Sequence, residues 1–331
     1  MQKQSGKIVR YIKAMQRELS ILIGLLFMGL IFSAIEPIFI SFVNIRDIFD
    51  QATIFGLTAL GMTFVIITGG IDLSVGSVFA IVGVITAKIL VAGVNPVLAL
   101  FTALILGTIM GSLNGFLVTK MHLQAFIATM GTMSFYRGVV YIITDGLPVI
   151  NIPSEFRRLV YGDVFAGIRG SIFFLIIFAV IAHVLLKYTP FGNYIYAIGG
   201  NEEATRLSGV EIDKNKTFAY ILCGIGTALA AVISIGKLGA GESTAGQGLE
   251  LNAIAAAAIG GTSLAGGRGT IIGTFIGAIM FSSLKIGLIV VGVDPFWQYI
   301  ATGLVIITAA YAESLQAKIR LASEIKRTVQ K

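Results

Sequence analysis

Apolar runs recur along almost the whole chain, separated by short polar or glycine-rich gaps. They lie near 19–35, 51–69, 76–93, 96–118, 123–144, 170–187, 217–236, 251–263, 270–291 and 296–312. A helix needs about 20 predominantly apolar residues to cross a bilayer. The pattern therefore predicts an all-α polytopic membrane protein with about ten transmembrane segments. The eighth run, Leu251 to Ser263, is too short to cross comfortably and is mostly alanine and glycine. It reads as a short or broken helix buried in protein, because non-helical ends facing lipid would leave backbone groups unpaired. One polar island stands between two long runs, Tyr196-Ala-Ile-Gly-Gly-Asn-Glu-Glu-Ala-Thr-Arg-Leu-Ser-Gly-Val210. A membrane protein that keeps such an island between spans offers it to a partner in the aqueous phase.

Charge sets the orientation. With the N-terminus inside, sixteen Lys and Arg residues fall on the inner side. Only Arg46, Arg157, Arg158, Arg169 and Lys237 fall outside, while Lys88, Arg137 and Lys285 sit inside spans or at their ends. The positive-inside rule selects this arrangement. Both termini and the 188–216 loop are then cytoplasmic, and the chain divides into a 1–18 tail, a 19–312 transmembrane domain and a 313–331 tail. The first run follows a basic stretch but ends in Ile-Glu-Pro, so it reads as an uncleaved span and not a signal peptide.

Composition narrows the class. Charged residues make up 12% of the 331 positions, half the density of soluble domains, which disfavours a water-soluble enzyme. The net charge of +7 follows from basic cytoplasmic loops, so nucleic acid is not an expected partner. The lone Cys223 excludes an internal disulfide and a cysteine-cluster metal site. His122 and His183 are far apart and read as interfacial polar residues. Neither a zinc-binding His/Glu/His spacing, a Gly-x-Ser-x-Gly elbow nor a phosphate loop occurs. The chain is expected to bind no metal or cofactor and to have no ATPase site of its own.

Glycines recur at four-residue spacing, Gly107, Gly111 and Gly115 in the fourth span and Gly269, Gly273 and Gly277 in the ninth. This spacing lets helices approach closely and marks packing faces. The stretch Thr68-Gly-Gly-Ile-Asp-Leu-Ser-Val-Gly-Ser77 interrupts an apolar run. It reads either as an irregular element lining a pathway or as a cytoplasmic turn whose Asp72 caps the third helix. Gly260-Gly-Thr-Ser-Leu-Ala-Gly-Gly-Arg-Gly269 matches it at an offset of 191, which raises an internal repeat. Two outer loops, 145–169 and 237–250, read as docking surfaces or gates, or as plain connectors.

Within the island, Glu203-Ala-Thr-Arg-Leu-Ser-Gly209 favours a short helix with Gly209 as its stop. It resembles the Glu-Ala-Ala-x-x-x-Gly loop of bacterial ABC importer permeases, with Thr205 in place of the second alanine. Gly69 to Ser77, Gln124-Ala-Phe-Ile-Ala-Thr129, Tyr194 to Glu202 and Ala255 to Gly269 resemble the ribose-type sugar permease family, in the family's order, from about residue 20 to 312. The resemblance implies a dimer of permease subunits in the bacterial inner membrane, in contact with lipid. It also implies a tandem-domain ATPase subunit that uses ATP, and a periplasmic sugar-binding protein. Gly199, Gly200, Asn201, Glu202, Glu203, Ala204, Arg206 and Gly209 would then form the ATPase-coupling element. Asp72, Ser74, Asn114, Gln124 and Thr129 are candidate pathway residues, from polarity at membrane depth. The alternative is an ATP-independent secondary transporter or channel for a small polar solute, weakened because Asp72 is the one obvious intramembrane acid for an ion relay. The cargo stays open among ribose and related pentoses and hexoses.

Overall fold

The computed structural model describes residues 16–165, 167–294, 296–308, 311 and 315. The expected tails fall almost wholly outside these residues, as do Lys3, Lys7, Arg10, Lys13 and the cations from Lys318 on. Seven described helices are long and apolar enough to cross a membrane: α1 (Gln16–Ile35), α2 (Phe42–Ile67), α4 (Pro96–Thr119), α5 (Ala125–Thr144), α7 (Gly170–Tyr188), α10 (Ile212–Leu238) and α12 (Ile271–Val290). Three shorter apolar helices are α3 (Val75–Val91), α11 (Leu249–Ile259) and α13 (Phe296–Thr308). Three small helices, α6 (Ser154–Tyr161), α8 (Pro190–Gly200) and α9 (Glu202–Leu207), lie in the connections. The chain is thus a mostly helical polytopic protein, and the short eighth run is the eleven-residue α11.

Two helices start earlier than their apolar runs. α2 begins at Phe42 and not near 51, because the Ser41 hydroxyl accepts from the Asn44 amide and caps it. Its polar first turns looked like a loop, yet Asp50 is buried there, accepting from the Tyr161 hydroxyl at 2.8 Å and pairing with Arg169 at 3.1 Å. α10 begins at Ile212 and not 217, its polar first turns held by pairs from Asp213 to Lys120 and from Lys216 to Glu202 while Ile212 is buried. The 145–169 connection is more than a plain linker. It holds α6, which buries Phe156 and Val160, and an antiparallel pair β1 (Asp163–Phe165) and β2 (Ile168–Arg169).

α2 and α10 are the buried centre and run antiparallel, with Gly61 on Cys223 and Gly226 on Leu57. Hydroxyls inside α2 return to their own helix: Thr53, Thr58 and Thr63 each donate to the carbonyl four residues back. Such back-bonding lets an apolar surrounding accept these hydroxyls, and Thr63 also shares a hydrogen bond with the Thr274 hydroxyl of α12 at 2.8 Å. Around the pair the packing repeats. α10 packs on α3 and α4 as α2 packs on α11 and α12, and α3 meets α4 as α11 meets α12. Because α2 and α10 are antiparallel, the units α2–α4 and α10–α12 are inverted copies of one arrangement.

In each unit the first helix is followed by a non-helical stretch and then a short helix. Residues 68–74 lead into α3, and 240–248 lead into α11. The 260–269 segment lies between α11 and α12, where the first unit has its α3–α4 link. The repeat raised between 69–77 and 260–269 does not follow the packing: by position within the two units, the counterpart of 68–74 is 240–248. The two short helices begin at one point, where Gly76 and Gly246 meet backbone to backbone. A Cβ on Gly76 would stand 2.3 Å from the Gly246 carbonyl oxygen.

The glycine stripes are close-approach faces. Gly107, Gly111 and Gly115 lie against Gly224, Tyr220 and Thr217 of α10. Gly273 and Gly277 lie against Gly260 and Ala256, while Gly269, just before α12, lies against Thr262. A Cβ at Gly111 would sit 2.4 Å from the Tyr220 carbonyl oxygen, whereas Gly131 on α5 has open space around it. Gly111→Ala is therefore expected to lower the thermal midpoint of the detergent-solubilised protein, at a cost of about 1–3 kcal/mol. Gly131→Ala should leave the midpoint unchanged or higher. Equal midpoints would sink the close-packed α4–α10 seam.

Candidate functional site

The end of the bundle that carries α8 and α9, here the near end, is built from polar capping and glycine contacts. Pro190 opens α8 at its first position, and Asn201 ends it. The Asn201 side chain then accepts from the Ala204 amide at 2.9 Å and so caps α9, an interaction of about 1 kcal/mol. The short helix expected at Glu203–Gly209 is α9, and it is separate from α8 because Asn201 is extended and caps it. Gly199 and Gly200 belong to the end of α8. Gly199 leaves no room for a side chain: a Cβ there would fall 1.8 Å from the Ile67 carbonyl oxygen and 2.4 Å from the Gly267 nitrogen. The Gly267 amide donates to that same Ile67 carbonyl at 2.8 Å, and the Tyr196 hydroxyl donates to the Gly269 carbonyl at 2.6 Å. Burial pushes the Tyr196 phenol up to about 12, so it stays a donor at neutral pH. α8 is therefore clamped to the end of α2 and to the 260–269 turn.

α9 projects from this clamp. Glu202 holds Arg206 at 3.1 Å and Lys216 at 2.5 Å, tying α9 to the first turn of α10. Thr205 is buried and donates to the Asn201 carbonyl at 2.7 Å. The opposite face, with Glu203, Ala204, Arg206 and Leu207, is exposed. Leu207 is 82% exposed on a helix of six residues. Gly209 closes the element at φ 82°, a left-handed position where a side chain is strained.

The first non-helical stretch lies inside the bundle. Asp72 is 2% exposed. Its carboxylate accepts from the Ser74 amide at 2.9 Å, the Ser74 hydroxyl at 2.6 Å and the Asn114 amide at 3.1 Å. Asn114 also donates to the Ser74 hydroxyl at 2.8 Å and accepts from the Thr132 hydroxyl at 2.8 Å. The Thr129 hydroxyl accepts from the Leu73 amide at 3.1 Å. Asp72, Ser74, Asn114 and Thr129 are thus one network joining the break to α4 and α5. The reading of Asp72 as a helix cap is corrected: Ser74 occupies that position, without a side-chain capping bond, and Asp72 lies in the irregular stretch before it. Gln124 is exposed at the start of α5, outside the network.

The second stretch enters from the other end, the far end, where Val149 pairs with Gly241 and the Ser243 hydroxyl donates to the Gly146 carbonyl. Arg137 of α5 donates to Ser243, Ala245 and Gly76 carbonyls at 2.7, 2.9 and 3.1 Å. Sequence reading missed both Arg137 and Thr132. An arginine in the interior of an apolar run was the available signal. Among the described residues no group of three or more His, Cys, Asp or Glu side chains is arranged to hold a metal ion.

A family profile described as the permease component of the branched-chain amino acid transport system matches residues 44–310. The chain is similar to the ribose import permease protein RbsC of Bacillus subtilis, 42% identical over 288 residues that cover 87% of this chain and 89% of the relative. It is 36% identical to the D-allose transport system permease protein AlsC of Escherichia coli, over 87% of this chain and 89% of the relative. It is 34% identical to the galactose/methyl galactoside import permease protein MglC of Haemophilus influenzae, over 88% and 92%. No solved structure matches the chain.

Replacing Asn114 by Leu removes the side-chain amide that serves both Asp72 and Thr132. Leaving those buried groups unpaired is expected to cost about 1–3 kcal/mol or more, read as a lowered thermal midpoint. Gln124→Ala should leave the midpoint in place. An unshifted Asn114→Leu protein would show that the network does not hold the break.

Proposed function

We infer, because this chain belongs to the family of transport-system permease components and within it to the ribose-type ABC sugar permeases, that it is the membrane subunit of an ABC importer for a monosaccharide. The family description names branched-chain amino acids, but relatives that cover most of the chain are named for ribose, allose and galactose. Ribose or a similar pentose or hexose is the proposed cargo. The protein is a multi-pass protein of the inner membrane.

The observation that carries the mechanism is α9. It is a short polar helix with an exposed outer face, an outward Leu207, and a base clamped to α2, α10 and the 260–269 turn. A partner that grips α9 would move the ends of α2 and α10 and the 260–269 turn together. We propose that Gly199, Gly200, Asn201, Glu202, Glu203, Ala204, Arg206 and Gly209 form the element that couples to a tandem-domain ATPase subunit, with Leu207 added as its apolar contact. The fold then has ten spans, counting α3, α11 and α13, within a 19–312 membrane domain. The near end, the 188–216 loop and both tails, 1–18 and 313–331, are cytoplasmic. A second permease subunit completes the pathway, and a periplasmic binding protein delivers the sugar to the far end. ATP is bound by the ATPase, not by this chain. Closure of the ATPases pulls α9, and α8 passes the motion to the end of α2 and thence to the break at Asp72. Asp72, Ser74, Asn114 and Thr129 lie beside that break and supply polar groups next to the path.

Coupling is tested at α9. Leu207→Asp, Glu203→Lys and Gly209→Val are each expected to weaken ATPase association by roughly tenfold or more, as loss of a central contact does, and to stop sugar uptake. Insertion of the chain into the membrane should be unchanged. Uptake and ATPase co-purification that survive all three replacements would remove the coupling reading and favour an ATP-independent transporter.

A further inference from the structure

Arg137 is a half-buried cation within α5; no carboxylate among the described residues lies within ion-pair distance of it, and the Glu250 carboxylate at the start of α11, beside Gly76, acts on it only through space. A charge in such a place is costly unless it is fully hydrogen-bonded. Its partners are three backbone carbonyls. Ser243 and Ala245 lie in the 240–248 stretch, which enters from the far end, and Gly76 lies in the first turn of α3. These carbonyls flank the point where Gly76 and Gly246 touch. The guanidinium fork is suited to this: one nitrogen serves the 240–248 stretch while the other serves α3, and no single-point ammonium can span both in the same way. Arg137 therefore joins the non-helical stretch of the second unit to the first turn of the short helix α3 of the first unit, and it does so from a helix outside both contact partners.

The near-end clamp leads to the same place. Gly199 of α8 rests on the Ile67 carbonyl, Ile67 ends α2, and residues 68–74 run from there to Gly76. We propose that Arg137 is a positioning residue that locks the 240–248 stretch onto the start of α3, so that motion entering at α8–α9 is passed to the far-end half of the transporter through this lock. The proposal rests on the importer reading. It adds the step by which a near-end movement reaches a far-end segment that has no covalent continuity with it nearby. It also accounts for an arginine where a leucine would pack more cheaply.

The test uses the complete permease–ATPase complex in liposomes, with amide hydrogen exchange measured with and without a non-hydrolysable ATP analogue. In the unaltered complex, both 199–209 and 241–248 should respond to nucleotide, the latter by at least about fivefold in exchange rate. In Arg137→Gln, exchange over 241–248 should be faster by about tenfold even without nucleotide, because charge-assisted bonds to that stretch are lost. Its nucleotide response should disappear, while the response at 199–209 remains. Arg137→Lys keeps the charge and should retain part of the response; it also serves if the glutamine variant fails to insert. A glutamine variant whose 241–248 stretch stays protected, or still responds to nucleotide, overturns the proposal. So does a 241–248 stretch in the unaltered complex that ignores nucleotide while 199–209 responds. Absence of any response at 199–209 overturns the importer reading itself, and is seen separately from the behaviour of Arg137.

Discussion

Backbone that is not helical must find its hydrogen-bond partners inside the protein when it lies in an apolar bundle, because lipid offers none. Two such stretches, 68–74 and 240–248, lie within this bundle, and the placement of its polar side chains follows from them. Asp72, Ser74, Asn114 and Thr129 satisfy the first. Arg137 satisfies carbonyls of the second and of the turn that follows the first. The short helices α3 and α11 each follow directly from one of these extended stretches.

Close packing makes these breaks tolerable. The helices around α2 and α10 meet through glycines, so backbones approach to distances a Cβ would forbid. Without a hydrophobic drive between helices in lipid, such contact is a main source of association. The inverted arrangement of α2–α4 and α10–α12 gives both breaks equivalent neighbours, and it brings both short helices to the Gly76–Gly246 contact. The rigid core and the irregular stretches are therefore one construction. Glycine seams hold the long helices, and the polar side chains hold what the helices leave open.

The near end has a different character. Its outer face is polar and exposed, and its attachments are specific: a cap at Asn201, a bridge at Glu202 and a glycine pressed on the end of α2. Individual surface ion pairs of this sort contribute little stability. Their effect is to fix the angle of α9 against α2 and α10, which is what a lever needs. In the coupling role proposed above, the exposed Leu207 would offer an ATPase partner an apolar contact.

The sequence by itself determined the class, the helical content, the short α11 and the polar island, because these depend on local hydropathy and on local propensity. The motifs that carry family membership are likewise contiguous strings. Position along the chain also exposed Asp72 and Asn114 as polar residues at depth. Only the tertiary structure decided which breaks are equivalent, since inverted copies share packing rather than letters and the glycine match to 260–269 pointed elsewhere. It decided that Gln124 stands apart, that Thr132 joins the Asp72 network and that Arg137 holds the second break to α3, because hydrogen bonds between α4, α5 and the two breaks span 18 to 108 residues of chain. It moved the start of α2 to Phe42, because the polar first turns that resembled a loop are satisfied by Arg169 and Tyr161 from a distant segment. Hydropathy is a property of each residue, whereas satisfaction of a buried polar group depends on what the fold brings beside it.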